Sequence, residues 1–230
     1  MFQKRWYILK LQKEGVNEVL LNSLCALQGN VLFEGYYLVG GTALSLHIGH
    51  RISDDIDLFT NATIKKEAIL DFLHSNISND IKVVNNGEKI FQLYYDKIKL
   101  KIYFVQVPYP LINHLINDDS IRLVSIDDIS AMKISATGTR GNEAKDFVDL
   151  YYILKYMSID TIFENFKKKY ATNDILHYVR SAMYFDDVKD SSWNAIKLLH
   201  DTISKDEIIE TLTSNIINYQ KKILQKRNDR

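Results

Sequence analysis

Two glycines followed at a fixed distance by an Asp-x-Asp triplet constrain the fold of this chain more than any other feature of its sequence. The apolar run 36–39 ends in Gly40-Gly41, which is typical of a buried strand that enters a tight turn. The polar–apolar alternation of 55–59 predicts a half-buried strand. The spacer 42–54 has room for one short helix, for which Thr42 is the predicted N-cap. The pattern therefore predicts a strand, a glycine turn, a short helix and a second strand in succession.

Three apolar runs that follow the aspartates predict further strands. The runs are 81–84, 90–95 and 98–107. Asn86-Gly87 and Asp96-Lys97 lie between them, and residue pairs of this kind favour tight turns between antiparallel neighbours. An antiparallel meander is therefore predicted for this part of the chain.

The hydrophobic period changes to that of helices after 108–110 and is predicted to stay helical from there on. Ser125 and Ser204 each begin a capping-box pattern, which marks the start of a helix. The predicted helices are 126–137, 143–157 and 205–225. We therefore predict an α/β domain over residues 1–120 and a helical bundle domain over residues 121–230.

Composition excludes several classes of protein. Apolar residues make up 46% and charged residues 25% of the 230 residues, which is ordinary for a globular chain and not for a disordered one. Twenty-nine Lys and Arg balance 29 Asp and Glu, so no net charge points to nucleic acid or membrane, although a local basic cleft would be averaged away. The single cysteine, Cys25, excludes a disulfide framework and a cysteine zinc site. No apolar segment approaches the roughly 18 residues of a membrane span, and we expect a cytoplasmic protein without membrane attachment.

Asp55 and Asp57 carry the chemistry of the pattern, because side chains at i and i+2 of a strand project from the same face. Two carboxylates on one face attract Mg²⁺ (or Mn²⁺), which prefers one or two carboxylates plus substrate phosphates. Gly40 and Gly41 lack a Cβ atom, so a triphosphate can approach their backbone N–H groups. Arg51 is close enough in sequence to contact phosphate oxygens. Either feature alone is as well explained by a turn or a solvated strand, and their coupling favours the functional interpretation.

The Gly-Gly-x13-Asp-x-Asp pattern resembles the signature of the nucleotidyltransferase superfamily of DNA polymerase β type. The wording GGTAL…HRISDDIDLF is more closely similar to the AbiEii/AbiGii-like abortive-infection toxins, and DDISAMKISATGTRGNEAKDFVDLYYIL and SAMYFDDV resemble later blocks of that family. The resemblance spans roughly residues 36–187. It implies an α+β fold in which a nucleotidyltransferase-type mixed β-sheet core with flanking helices is followed by a helical bundle. It also implies transfer of a nucleotide from an NTP, with Mg²⁺, to a hydroxyl of RNA (a tRNA 3′ end in some relatives) or of protein, and a cognate antitoxin as a partner.

Lys133 and Asp146 each fall on the apolar face of a predicted helix, where a charged residue needs a partner. The two can pair with each other as a structural ion pair. Alternatively, Lys133 reaches a triphosphate while Asp146 orients a catalytic group or deprotonates the acceptor hydroxyl. The family resemblance at these positions favours the site role. Asp149 is expected to face inward more than Lys145.

One position departs from the pattern that the resemblance implies. Many members of the superfamily carry a third carboxylate on a later strand, and the corresponding strand 99–105 has Tyr103 instead. A phenol, with an ordinary pKa of about 10, is a poor Mg²⁺ ligand and a poor base at neutral pH. Either one metal ion and Asp146 suffice, or the protein binds nucleotide without turning it over.

We therefore predict a Mg²⁺-dependent nucleotidyltransferase of the abortive-infection toxin type. The predicted catalytic residues are Asp55, Asp57, Asp146 and Lys133, of which Asp55 and Asp57 hold the metal. The predicted nucleotide-binding residues are Gly40, Gly41, Thr42, Arg51, Ser53 and Lys133. Ser53 is equally well explained as a turn cap. The alternatives are a nucleotide- or RNA-binding module without turnover and an interaction protein whose helical half binds an antitoxin. The run 167–169 is a weaker candidate for contact with an RNA backbone, and a solvated helix end is the favoured interpretation.

Overall fold

The computed structural model describes residues 10–228 and divides them into two compact units. The first unit runs to Val107 and also includes Ile116–Leu123. The second unit comprises Pro108–Leu115 and continues from Val124. The first contains all the β-strands of the described chain, and the second contains helices and connecting loops only.

A seven-stranded mixed sheet forms the first unit. Its strands are β1 (Tyr37–Leu38), β2 (Asp55–Thr60), β3 (Ile81–Asn86), β4 (Ile90–Tyr95), β5 (Leu100–Gln106), β6 (Ile116–Asp118) and β7 (Ile121–Leu123). They lie in the order β3-β4-β5-β2-β1-β7-β6, and the pairs β2·β5 and β1·β7 are parallel while the others are antiparallel. The helices of this unit are α1 (Glu18–Gln28), α2 (Gly40–Ile48) and α3 (Lys66–Asn76), with short 3-10 turns at Lys13–Gly15 and Val31–Phe33. The predicted meander is confirmed as β3, β4 and β5.

The strands at the centre of the sheet alternate between a buried and a half-exposed face, as a period of two requires. The buried side chains include Ile56 and Leu58 of β2 and Ile102 and Phe104 of β5. Phe33 stacks on Phe104 with ring centroids 5.8 Å apart. This alternation directs the odd-numbered residues of β2 and β5 to the opposite face.

A β-hairpin after the meander shows that the prediction of an unbroken helical period beyond 108–110 was wrong. β6 and β7 are three residues each, which is too short to establish a period in the sequence, and Asp119 turns between them at φ 50°. The hairpin is held from outside itself. The carboxamide of Gln28 accepts a hydrogen bond from the Arg122 N–H at 2.9 Å and donates one to the Arg122 carbonyl at 2.9 Å.

Six helices form the second unit as far as the structure describes it. They are α4 (Ile126–Thr139), α5 (Ala144–Leu154), α6 (Ile159–Tyr170), α7 (Leu176–Ser181), α8 (Asp190–Asn194) and α9 (Lys205–Asn228). The predicted capping residues are confirmed, because the hydroxyl of Ser125 accepts from the Asp128 N–H and that of Ser204 from the Glu207 N–H. Between residues 10 and 228, no helix combines the length and the apolar character needed to cross a membrane. The α+β fold with a helical C-terminal part is therefore confirmed.

Candidate functional site

The glycine turn between β1 and α2 brings backbone directly against the Asp57 carboxylate. The Val39 N–H donates to the Asp57 carbonyl at 2.9 Å, and the chain then turns at Gly40, whose φ is 71°. A Cβ atom on Gly40 would lie only 2.6 Å from Asp57 Oδ2, so the close approach requires glycine. α2 begins at Gly40 without a side-chain cap, and its first N–H groups lack partners within the helix. The turn thus places helix N–H groups and a carboxylate side by side.

Asp55 and Asp57 lie on the same face of β2, as the spacing predicted. Both side chains are half-buried, whereas Ile56 and Leu58 between and beyond them are fully buried on the other face. The parallel neighbour β5 places Lys101 opposite Asp55. The arrangement is that of two accessible carboxylates on a rigid central strand.

Thr42 and Ser53 fix the start of β2 with their side chains. The Thr42 hydroxyl donates to the carbonyl oxygen of Asp55 and lies 2.8 Å from the Ser53 hydroxyl, and both residues are buried. Thr42 lies in the first turn of α2, so its prediction as the N-cap was wrong, because Gly40 enters the helix and Val39 takes the cap position. The backbone N–H of Thr42 therefore lies at the helix N-terminus, while its hydroxyl is engaged by the start of β2.

Arg51 is buried in the loop between α2 and β2. Its Nη1 donates to the Ile52 carbonyl at 3.0 Å, and its own carbonyl accepts from the Ser45 hydroxyl at 2.9 Å. A buried guanidinium in this loop is a fixed positive charge in the segment that leads into the two aspartates.

Tyr103 occupies the position on β5 that lies directly opposite Asp57. Its phenol oxygen accepts a hydrogen bond from Gln92 Nε2 at 3.1 Å, and Gln92 is its partner on the other neighbouring strand, β4. The described residues contain no group of three or more Asp, Glu, His or Cys side chains that could hold a metal ion. Asp55 and Asp57 provide two carboxylates on this face, and Mg²⁺ can bind to one or two carboxylates together with phosphate oxygens.

A buried charge cluster in the second unit contains the other predicted catalytic residues. Lys133 Nζ lies 2.7 Å from Asp146 Oδ1 and 2.5 Å from Asp149 Oδ2, and the three side chains are 5%, 2% and 0% exposed. Arg140, whose side chain is 51% exposed, contacts Asp146 Oδ2 through Nε at 2.9 Å and through Nη2 at 2.8 Å. The charges of the two cations and the two carboxylates cancel. Buried carboxylates are stable only when cations pair with them.

Electrostatics in this cluster keep Asp146 ionised. Burial alone would raise the pKa of Asp146, but the positive charges of Lys133 and Arg140 outweigh it and lower the pKa below its ordinary value. Of the alternatives open from the sequence, the structure shows Lys133 and Asp146 paired with each other, and Asp149 faces inward as expected. Arg140 was not predicted as a member of this cluster, and its only signal in the sequence is its place in the break between two predicted helices.

A second buried ion pair joins α4 to α6. Lys169 Nζ lies 2.8 Å from Asp128 Oδ1 and donates to the Pro110 carbonyl at 3.2 Å, while the Ile112 N–H donates to Asp128 at 2.9 Å. Lys169 is therefore a core residue that anchors the segment after Pro108, so the favoured interpretation of a solvated helix end was wrong for this lysine, and its burial does not fit contact with an RNA backbone either. Its burial has no signal in the sequence, because Lys169 follows two other lysines in a run that is typical of an exposed helix end.

A comparison of the sequence with protein families and a comparison of the structure with solved structures both lead to nucleotidyltransferases. The sequence model of the family described as "Nucleotidyl transferase AbiEii toxin, Type IV TA system" matches residues 23–211. An uncharacterised protein of Aquifex aeolicus (strain VF5) is 30% identical over 196 residues, which cover 82% of this chain and 88% of that protein. Among solved structures, a candidate nucleotidyltransferase from H. pylori superposes with a TM-score of 0.57 at 19% identity, covering 90% of this chain and 94% of the other. JHP933 from Helicobacter pylori superposes with a TM-score of 0.50 at 18% identity, covering 92% and 94%. These structures share the fold of this chain.

Proposed function

Since this chain belongs to the AbiEii nucleotidyl transferase toxin family, we propose that it transfers a nucleoside monophosphate from an NTP to a hydroxyl acceptor. The observation that carries the proposal is the contact between the glycine turn and the acidic strand. Gly40 has no room for a side chain because Asp57 Oδ2 fills that space. Backbone donors for a triphosphate and a carboxylate for its counter-ion therefore lie next to each other.

The glycine turn binds the triphosphate in this proposal. The N–H groups of Gly40, Gly41 and Thr42 open α2, and a helix N-terminus favours phosphate both through unpaired donors and through its dipole. The charge of Arg51, fixed in the loop that follows α2, offsets part of the phosphate charge. Ser53 supports this site by holding Thr42 in place.

Asp55 and Asp57 hold the metal ion in this proposal. Two half-buried carboxylates on one strand face provide oxygen ligands of the kind that Mg²⁺ and Mn²⁺ prefer, and phosphate oxygens complete such a set. When bound, a divalent cation neutralises phosphate charge and orients the α-phosphate. The rigid position of β2 between β1 and β5 keeps the two carboxylates together without the substrate.

Asp146 serves as a structural carboxylate of the helical unit in this proposal, rather than as the base that removes the acceptor proton. A carboxylate whose pKa is lowered and which already accepts hydrogen bonds from Lys133 and Arg140 is a weak base, but it is held firmly in one orientation. Lys133, engaged by two carboxylates, contributes by keeping Asp146 charged and in place.

A label-transfer assay tests this function. The protein is incubated with Mg²⁺, total small RNA and each α-³²P-labelled NTP in turn, alongside the Asp57→Asn variant and the matched control Asp54→Asn, an exposed neighbour outside β2. We expect label on RNA, or on the protein itself, with the wild type and with Asp54→Asn, and at least about a thousand-fold less with Asp57→Asn. Full labelling with Asp57→Asn would contradict the metal assignment. The labelled species identifies the acceptor as RNA, such as a tRNA 3′ end, or as protein.

A nucleotide-binding module without turnover is the second candidate, and Tyr103 is the observation that favours it. A phenol stands on β5 opposite Asp57, where a further carboxylate would complete a site for a second cation. Calorimetry that shows Mg²⁺-dependent NTP binding, with no labelled product from any acceptor, would support this candidate over the transferase.

We further propose that this chain is the toxin of a toxin–antitoxin pair, as the description of its family indicates. Regulated expression of the chain should arrest growth, and Asp57→Asn should relieve the arrest at equal protein level. Whether an antitoxin contacts the helical unit directly stays a prediction, which co-purification of the two proteins would test.

A further inference from the structure

Three side chains form a row across the half-exposed face of the sheet: Asp57 on β2, Tyr103 on β5 and Gln92 on β4. The register pairs Asp57 with Tyr103 and Tyr103 with Gln92. Gln92 Nε2 donates to the phenol oxygen of Tyr103 at 3.1 Å. The amide thereby fixes the position of the phenol hydroxyl beside the proposed metal-binding carboxylate.

The row extends from Asp57 in the direction opposite to the glycine turn. Gly40 follows β1, which is the neighbour of β2 on one side, and Tyr103 lies on β5, the neighbour on the other side. In phosphoryl transfer the attacking and leaving oxygens lie roughly in line through the phosphorus atom. A triphosphate whose leaving group is bound at the glycine turn therefore receives its nucleophile from the β5 side.

We propose that Tyr103, oriented by Gln92, positions the acceptor hydroxyl for attack on the α-phosphate. This inference rests on the proposed nucleotidyl transfer and adds residues that neither the family match nor the motif assigns. Tyr103 contacts the acceptor, and Gln92 is a positioning residue that acts through Tyr103. The phenol is neutral and can both donate and accept a hydrogen bond, which suits an uncharged hydroxyl.

The proposed step leaves Tyr103 chemically unchanged. A bond forms between the acceptor oxygen and the α-phosphorus while the bond from the α-phosphorus to the pyrophosphate oxygen breaks. The acceptor proton passes to solvent, and Tyr103 keeps its own. The phenol contributes placement of the acceptor by hydrogen bonding, from a position that Gln92 holds fixed.

The test compares Tyr103→Phe and Gln92→Leu with the matched control Tyr94→Phe. Tyr94 lies on β4 two residues after Gln92 and on the same face of the sheet, so the control removes a phenol near the row but outside it. Each variant is assayed for kcat and for the KM of the acceptor that the labelling assay identifies, and Mg²⁺-NTP binding is measured by calorimetry. We expect Tyr103→Phe to lower kcat/KM for the acceptor roughly ten-fold, as for loss of one substrate hydrogen bond. The Kd of the NTP should stay within about two-fold of the wild-type value, and Tyr94→Phe should match the wild type.

Gln92→Leu provides the second readout. If Gln92 acts through Tyr103, the double variant Tyr103→Phe/Gln92→Leu is no slower than Tyr103→Phe alone, whereas independent roles give multiplied losses. An unchanged kcat/KM for Tyr103→Phe, or a loss confined to NTP affinity, would overturn the inference. The underlying activity is judged separately, since labelling that persists in Asp57→Asn removes the proposed function itself. If Asp57→Asn transfers no label while Tyr103→Phe keeps the wild-type kcat/KM, the proposed function stands and only the role of Tyr103 is removed.

Discussion

The two pairs of aspartates in this chain occupy opposite environments. Asp55 and Asp57 lie half-exposed on a strand. The backbone at Gly40 approaches Asp57 closely, because Gly40 has no side chain. Asp146 and Asp149 are buried on α5 and share the ammonium group of Lys133. The first pair is accessible to a ligand, and the second is already neutralised by the protein.

Aspartate therefore serves two purposes in this chain, and the surroundings of each pair decide which one. Desolvated carboxylates are stable only with cations built into the fold, so removal of the cation acts on folding. Asp55 and Asp57 are the proposed metal ligands, so their removal is predicted to act on activity. The following variants separate these two effects, and they are ordered by the size of the effect expected.

Removal of Lys133 should have the largest effect on stability. Lys133→Met leaves two carboxylates that are 2% and 0% exposed without the ammonium group between them. Breaking a buried pair in this way costs about 3–5 kcal/mol in the free energy of unfolding. Urea denaturation followed by circular dichroism measures this cost. A loss below about 1 kcal/mol would mean that Arg140 and water compensate the charge, and the cluster would then not be essential for the fold.

Filling the space at Gly40 should abolish most of the activity although neither aspartate is itself substituted. Gly40→Ala forces a Cβ atom to within 2.6 Å of Asp57 Oδ2 and displaces either the turn or the carboxylate. Because a displacement of about 1 Å costs roughly a hundred-fold in rate, we expect a loss of that order in label transfer.

Gly49→Ala is the matched control for the glycine variant. Gly49 ends α2 at φ 60°, similar to the 71° of Gly40, so alanine at either position costs about 1–2 kcal/mol of backbone strain. Gly49→Ala therefore introduces the same backbone strain as Gly40→Ala, but at a position away from Asp55 and Asp57. Equal activity losses in the two variants would attribute the effect to strain alone and remove the special role of the turn.

Asp146 should contribute stability that depends on pH. Because the pKa of Asp146 is lower in the folded protein than its ordinary value of about 3.9, its contribution is fully present above that value and is lost as the pH falls through the folded-state pKa. The difference in unfolding free energy between the wild type and Asp146→Asn should therefore be largest near neutral pH and shrink in acid. Denaturation curves between pH 3 and 7 measure it, and a difference that grows toward pH 3 has the wrong sign for this account.

Local rules were sufficient to predict the first half of the site. The Gly-Gly turn and the face shared by Asp55 and Asp57 follow from a period of two and a short spacer, and the structure confirms both placements. Tyr103 was singled out by the family resemblance, and the structure places it opposite Asp57. The α+β class also follows from the change of period along the chain. The roles of these residues in binding and catalysis stay predictions.

The parts that sequence analysis missed depend on long-range contacts. The β6–β7 hairpin is fixed by Gln28, which is 94 residues away from Arg122, and no local pattern reports such a contact. The burial of Lys169 depends on Asp128 of another helix in the same way. Helical wheels placed Lys133 and Asp146 on buried faces and left their pairing as one of two alternatives, but they did not identify Asp149 as a second partner of Lys133.

The smallest effect is expected at an exposed ion pair of the helical unit. Lys222 on α9 lies 2.8 Å from Asp160 on α6, close to the length of the Lys133–Asp146 contact, but the two side chains are 56% and 39% exposed. Exposed pairs gain little because water screens them, so Lys222→Met should change the free energy of unfolding by no more than about 1 kcal/mol. The same urea titration measures Lys222→Met and Lys133→Met side by side. Similar losses in both would show that proximity rather than burial sets the cost, and the contrast between the two classes of aspartate would then lose its physical basis.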